Sequence, residues 1–112
     1  MASVSLGRVT VASPGSPVRA TANQADPAKP VLAHSIHIQP VCNNAGHLFI
    51  GYSTMDKSTY AGVIEVVPLP SINIHQKFVR SSDCSINGLN AADLYVDSDV
   101  TGSAAIVSIE VL

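Results

Sequence analysis

The feature that most narrows the fold is a two-residue rhythm, clearest at the end of the chain. Between residues 104 and 112, Ala105, Val107, Ile109 and Val111 share one face, with Ser108 and Glu110 on the other. Such alternation is the pattern of a half-buried β-strand, in which successive side chains point to opposite faces. The rhythm recurs along the chain. Residues 31–39 carry Leu32, Ile36 and Ile38 at even spacing, residues 47–53 carry Leu48, Phe49 and Ile50, and residues 60–67 are apolar. Residues 71–79 alternate again through Ile72 and Ile74, residues 94–96 make a short apolar piece, and residues 3–11 alternate loosely.

Between these pieces lie Ser13-Pro14-Gly15-Ser16-Pro17, Asn43-Asn44-Ala45-Gly46, Pro68-Leu69-Pro70 and Asp97-Ser98-Asp99-Val100-Thr101-Gly102, all rich in turn-forming residues. The stretches 54–59 and 80–90 read as loops. No long window shows apolar residues at i, i+3, i+4 and i+7 behind a capping residue, so helix is expected to be little or none. About eight short strands with turn chemistry between them predict an all-β chain, an antiparallel sandwich or barrel. The expected core is Ile36, Ile38, Leu48, Ile50, Val63, Ile72, Ile74, Leu94, Val96, Val107 and Ile109.

The first thirty residues look different. They hold Pro14, Pro17, Pro27 and Pro30, four of the seven prolines, and residues 18–24 lack a convincing apolar face. Proline cannot donate to a ladder. The expectation is therefore an extended Pro-rich arm over residues 1–30 and a β-sandwich domain over residues 31–112, with the arm serving attachment more than folding. The rival arrangement makes Val4, Leu6, Val9 and Val11 an integral strand.

Charge excludes several roles. Only 12% of the 112 residues are charged and 46% are hydrophobic, against about a quarter charged in ordinary soluble domains. Six Lys plus Arg and a formal net charge of -2 leave no basic footprint for nucleic acid. The apolar runs are only a few residues long, so no membrane partner is expected. The start, Met1-Ala2-Ser3-Val4-Ser5, lacks a basic n-region and apolar stretch, which suggests synthesis in a cytosol. Weakly charged surfaces favour association, so a protein partner is the expected setting.

Site by site, no enzyme chemistry is readable. His34 and His37 sit three apart in an expected strand and so point to opposite faces; His47 is at a turn and His75 in another strand. The default for all four is an ordinary surface or hydrogen-bonded histidine, with no metal site. Asp93, Asp97 and Asp99 crowd before Gly102, but Val100 interrupts any Ca²⁺-loop pattern and no Glu closes it. A tight turn whose Asp side chains accept backbone hydrogen bonds is the expectation. Glu65 and Glu110 are the only glutamates, and Gly46 and Gly51 are isolated, so neither a paired-carboxylate site nor a phosphate loop is suggested. No strand–turn–helix nucleophile elbow occurs. Cys42 and Cys84 read as small buried or half-buried thiols. Catalytic, cofactor and metal residues are thus expected to be none, and the chain not to be an enzyme.

One set of segments carries a resemblance. Val31-Leu32-Ala33-His34-Ser35-Ile36-His37-Ile38-Gln39-Pro40 followed by Asn43-Asn44-Ala45-Gly46-His47-Leu48-Phe49-Ile50-Gly51 is similar to the strand–Asn/Gly turn–strand pattern of small virion proteins of tailed bacteriophages. Leu89-Asn90-Ala91-Ala92-Asp93-Leu94-Tyr95-Val96-Asp97, then Asp99-Val100-Thr101-Gly102 and the final strand, continue it. Over residues 31–112 the chain resembles the capsid decoration (staple or cement) proteins of epsilon15-like podoviruses. The resemblance implies a jelly-roll subunit without cofactor, placed on the outer surface of an HK97-type shell. There it would clamp neighbouring major capsid subunits and stabilise the phage head, often as a homodimer. The alternatives are a head-fibre, collar or tail component and, ranked lower, a carbohydrate-binding β-sandwich module. A sugar site needs exposed aromatic faces, and with no Trp the chain offers only Tyr52, Tyr60 and Tyr95 as large polar aromatics.

Overall fold

Each period-two segment has one apolar face to bury and a row of backbone groups to satisfy, so the segments pair and stack. The computed structural model of the protein describes residues 3–41, 46–67, 78–81 and 89–111. Its strands are β1 (Ser3–Thr10), β2 (Val18–Arg19), β3 (Leu32–Pro40), β4 (Leu48–Asp56), β5 (Ala61–Val67), β6 (Phe78–Ser81), β7 (Leu89–Asn90), β8 (Tyr95–Ser98) and β9 (Ala104–Val111). A 3-10 turn at Ala91–Asp93 is the one helical element among the described residues. The chain is all-β.

With the two-residue β7 set aside, the strands pair as the two arms of one long hairpin. β1 pairs with β9, β2 with β8, β3 with β6 and β4 with β5, all antiparallel. Further pairings of β9 with β3 and of β8 with β4 gather them into two sheets, ordered β1-β9-β3-β6 and β2-β8-β4-β5, with β7 attached to β3. This first-to-last, rolled-up pairing is the jelly roll, one of the ways an antiparallel chain limits its open edges. The sandwich, rather than the barrel, is realised.

The sheets enclose a core built from both. Ile36, Ile38, Val107 and Ile109 face Leu48, Ile50, Val67 and Val96, with Leu94 closing one end. Of the residues expected inside, Val63 is only half-buried, while Val67 is fully enclosed and Ile64 packs against the cluster. The register between β4 and β5 slips between Ile50 and Gly51, which moves the inward set of β5 off Val63. Ile72 and Ile74 lie outside the described residues.

Bulges account for the other departures. On β3 the register against β9 jumps between Ala33 and Ser35, so Ala33 turns inward and Leu32 is left 49% exposed. Val111, at the frayed end of β9, is also exposed. The stretch 54–59 is no simple loop, since β4 runs on to Asp56 before the turn. The stretch 80–90 is likewise not all loop: Arg80 and Ser81 belong to β6, and Leu89–Asn90 is β7.

The largest correction concerns the first thirty residues. They are not an arm beside the sandwich. Leu6, Val9 and Val11 are buried in the core, and β1 is hydrogen-bonded along β9. Pro14 and Pro17 fall in the turn after β1, where no ladder bond is asked of them. Ala20 continues the β2–β8 ladder, its N–H donating to the Leu94 carbonyl at 2.9 Å, and Thr21 is fully buried with its hydroxyl donating to the Pro27 carbonyl. Asn23 then covers the open edge of β1: its Nδ2 donates to the carbonyls of Arg8 (2.7 Å) and Leu6 (3.4 Å). A capped edge offers less to a stray strand.

Two outcomes follow. Ile38→Ala removes a fully buried side chain between the sheets and is expected to cost about 2–5 kcal/mol in urea unfolding. Deleting residues 1–30 exposes β9 and opens the core, so the truncated chain is expected to show no cooperative melting by circular dichroism.

Candidate functional site

The two outer faces of the sandwich are unlike. On β4, Leu48, Phe49, Ile50 and Gly51 are all buried, so both faces of this strand are covered. Leu48 and Ile50 point into the core, which sends Phe49 outward, and Asp97 of β8 lies opposite Phe49 in the ladder. What covers them is the end of the β4–β5 hairpin. The register jumps from Gly51↔Val63 to Asp56↔Ala61, so residues 52–55 stand outside the ladder as a long bulge and the tip turns back over its own sheet. A side chain at Gly51 would strike the Gly62 carbonyl, and Gly62 itself has φ +71° with Met55 Cα 3.1 Å from where a Cβ would stand. Two glycines are what let the strands cross this closely. The Tyr60 ring sits 6.5 Å from Phe49, and Lys57 Nζ donates to the Ser98 carbonyl at 2.9 Å.

Beneath that tip, Gly15, Thr54, Met55, Asp56, Lys57, Ser58 and Asp97 enclose a cleft of about 370 Å³. Asp97 is 1% exposed, and its Oδ1 accepts the backbone N–H groups of Ser98 (2.8 Å) and Gly15 (3.0 Å). The carboxylate therefore ties the turn after β1 onto the outer face of the four-stranded sheet. Charge-assisted bonds of this kind are the stronger ones, which makes a buried carboxylate tolerable here.

Asp99 ties down a second loop. Its Oδ1 accepts the His47 backbone N–H at 2.9 Å, and its Oδ2 lies 3.2 Å from His47 Nδ1. Gly46 is pressed so close that a Cβ there would collide with the Asp99 carboxylate. Both side chains are about half exposed, so the ion pair adds little to stability, while the backbone contact sets the loop's path. Asp97 and Asp99 thus accept backbone hydrogen bonds, as read from the sequence. Asp93 does something else: it is exposed, beside Asn90 and Tyr52, on the rim of a smaller pocket of about 130 Å³.

Over the described residues, the outer face of the five-stranded sheet is exposed around Ile106. Thr10 and Arg8 of β1, Ile106, Ser108 and Glu110 of β9, and Gln39 and His37 of β3 line it across the register. Ile106 is 50% exposed between Arg8 and Gln39. The bulge at residues 34–35 also corrects the histidine reading: one extra residue reverses the alternation, so His34 and His37 share this outer face. His37 Nε2 is 3.4 Å from Ser35 Oγ. His75, Cys42 and Cys84 lie outside the described residues. Among the described residues no group of three metal-ligating side chains gathers. Arg19 is fixed on the other sheet, 5.0 Å from the Tyr95 ring centroid and donating to the Ala92 carbonyl at 2.8 Å.

No protein-family model, curated protein or solved structure matches the chain.

Sequence reasoning named Asp97 and Asp99 for the right local chemistry but missed the covered face. The available signal was Gly51 and Gly62 flanking a segment too long for a tight hairpin. Asp97→Ala leaves two backbone N–H groups without their acceptor in a buried place. It is expected to lower stability by about 1–3 kcal/mol in chemical denaturation, whereas His47→Ala is expected to cost no more than about 1 kcal/mol.

Proposed function

We propose that the chain is a structural virion protein, a decoration or cement subunit that sits on the outer capsid surface of a tailed phage and clamps neighbouring major capsid subunits. The observation that carries this reading is the open outer face of the five-stranded sheet. It is an antiparallel surface of mostly polar side chains, with Arg8 and Glu110 its charged members, centred on the exposed Ile106, and it contrasts with a second face covered by the chain's own hairpin. Extended surfaces gain affinity from area and repeated engagement rather than from one deep cleft. The segments that carry the resemblance to cement proteins also come together. Residues 31–51 supply β3 and the start of β4, residues 89–111 supply β7 to β9, and these are partners across both sheets.

In this reading the protein binds the major capsid protein, acts as a homodimer on the shell, and performs no catalysis. A head-fibre, collar or tail role remains the second reading, on the same sandwich.

The test is binding to undecorated shells. Ile106→Asp places a charge in the middle of the open face without touching the core. It is expected to weaken shell binding by about tenfold or more while leaving chemical stability within about 0.5 kcal/mol. Tyr60→Ala, on the opposite face, is expected to leave shell binding unchanged. Wild-type protein that ignores shells and binds isolated tails or collars supports the second reading. Protein that binds neither contradicts both.

A further inference from the structure

The small pocket at one end of the sandwich has a chemistry that the capsid reading does not use. Tyr52, Leu89, Asn90, Asp93 and Leu94 line it. We propose that this pocket binds a single pyranose ring, with Tyr52 as the stacking wall and Asn90 and Asp93 as the hydroxyl-reading pair.

Asn90 is locked in place by its own acceptor end. Its Oδ1 accepts two backbone N–H groups, from Val31 at 3.0 Å and Ala92 at 3.1 Å. Those bonds close the 3-10 turn, hold β3 to it, and fix the plane of the amide. They also use up the acceptor end, so Nδ2 is left with both hydrogens and no partner among the described residues. An amide held in this way is a preorganised donor, which reduces the ordering cost of binding. Three residues on, Asp93 sits at the end of the same turn, exposed and with no side-chain hydrogen bond among the described residues. An ionised carboxylate only accepts, and its two oxygens can take two neighbouring hydroxyls at once.

Tyr52 supplies the third element. The long bulge takes residues 52–55 out of the β4–β5 ladder, and Tyr52 is 45% exposed. A tyrosine there presents an apolar face with a polar tip, suited to the C–H face of a sugar whose rim carries hydroxyls. Leu89 and Leu94 make the floor apolar. The volume, about 130 Å³, is on the scale of one ring. A donor, an acceptor-only group and one aromatic wall fit a polyhydroxylated ring better than an anion, which Asp93 repels, or a purely apolar ligand, which would strand the Asn90 amide.

None of the pocket's lining residues is among those that line the sheet face around Ile106, so this site and the shell reading fail separately. The experiment is amide chemical-shift mapping of the full chain with a panel of methyl pyranosides, in chelator, with glycerol as the small-polyol control. The expected result is saturable shifts at residue 52 and residues 89–94 with at least one pyranoside, at millimolar concentrations, and none with glycerol. Tyr52→Ala and Asp93→Ala are each expected to weaken binding by about tenfold or more. The Asp93 side chain makes no hydrogen bond among the described residues, so Asp93→Ala is expected to fold and to bind shells as wild type does. Absence of saturable shifts with every pyranoside overturns the proposal. So do equal shifts with glycerol, shifts centred elsewhere, full affinity in both variants, or binding that requires added divalent metal.

Discussion

The structure depends on the double pairing of β9. Ala104–Val111 is hydrogen-bonded to β1 on one side and β3 on the other along nearly its whole length. The ladder extends past the strand end, with Val11 N–H donating to the Ser103 carbonyl and Val41 N–H to the Ala104 carbonyl. A strand so enclosed must alternate cleanly, because one face looks into the core and the other forms the open surface. The apolar positions Ala105, Val107 and Ile109 and the outward Ile106, Ser108 and Glu110 follow from that requirement. The same strand therefore sets both the stability of the sandwich and the composition of its exposed face.

The second sheet meets a different constraint. Its central strand β4 is covered on both faces, and its outer cover is a bent hairpin held by a lysine, an aromatic pair and the turn that Asp97 captures. Few apolar side chains are available for that cover, so backbone-directed polar bonds do much of the fastening. Such bonds fix geometry more than they add net stability. One face is thereby closed by the chain itself, while the other is exposed around Ile106. That division is what gives the cement reading its physical basis.

Much of the fold was legible because period-two alternation survives wherever one face is buried. β9 and the Leu48–Ile50 stretch show this, and the Asp97–Asp99 turn was readable from side chains that accept backbone N–H groups. The misreadings share one cause. At Ala33–Ser35, Ser5–Gly7 and Ile50–Gly51 a bulge changes the phase of alternation, and a single sequence carries no marker of which residue is the extra one. Leu32, Val63 and the His34–His37 pair were assigned to the wrong face for that reason. β1 was undervalued because Leu6 and Val9, three apart, look aperiodic until the bulge at Leu6, between Ser5 and Gly7, is known. The pocket at Tyr52, Asn90 and Asp93 joins residues far apart in sequence, a juxtaposition only the rolled topology creates.

The account rests on β1 being part of the same cooperative unit as β9 and β3. Native-state amide hydrogen exchange reads this directly, since strands of one cooperative core exchange only through global opening. The expected result is that β1 amides donating to β9 share the protection of β9 and β3 and respond to denaturant with the same slope. Exchange of β1 at the rate of an unstructured peptide, with β3 and β9 still protected, would contradict the account and return the first residues to the role of an arm.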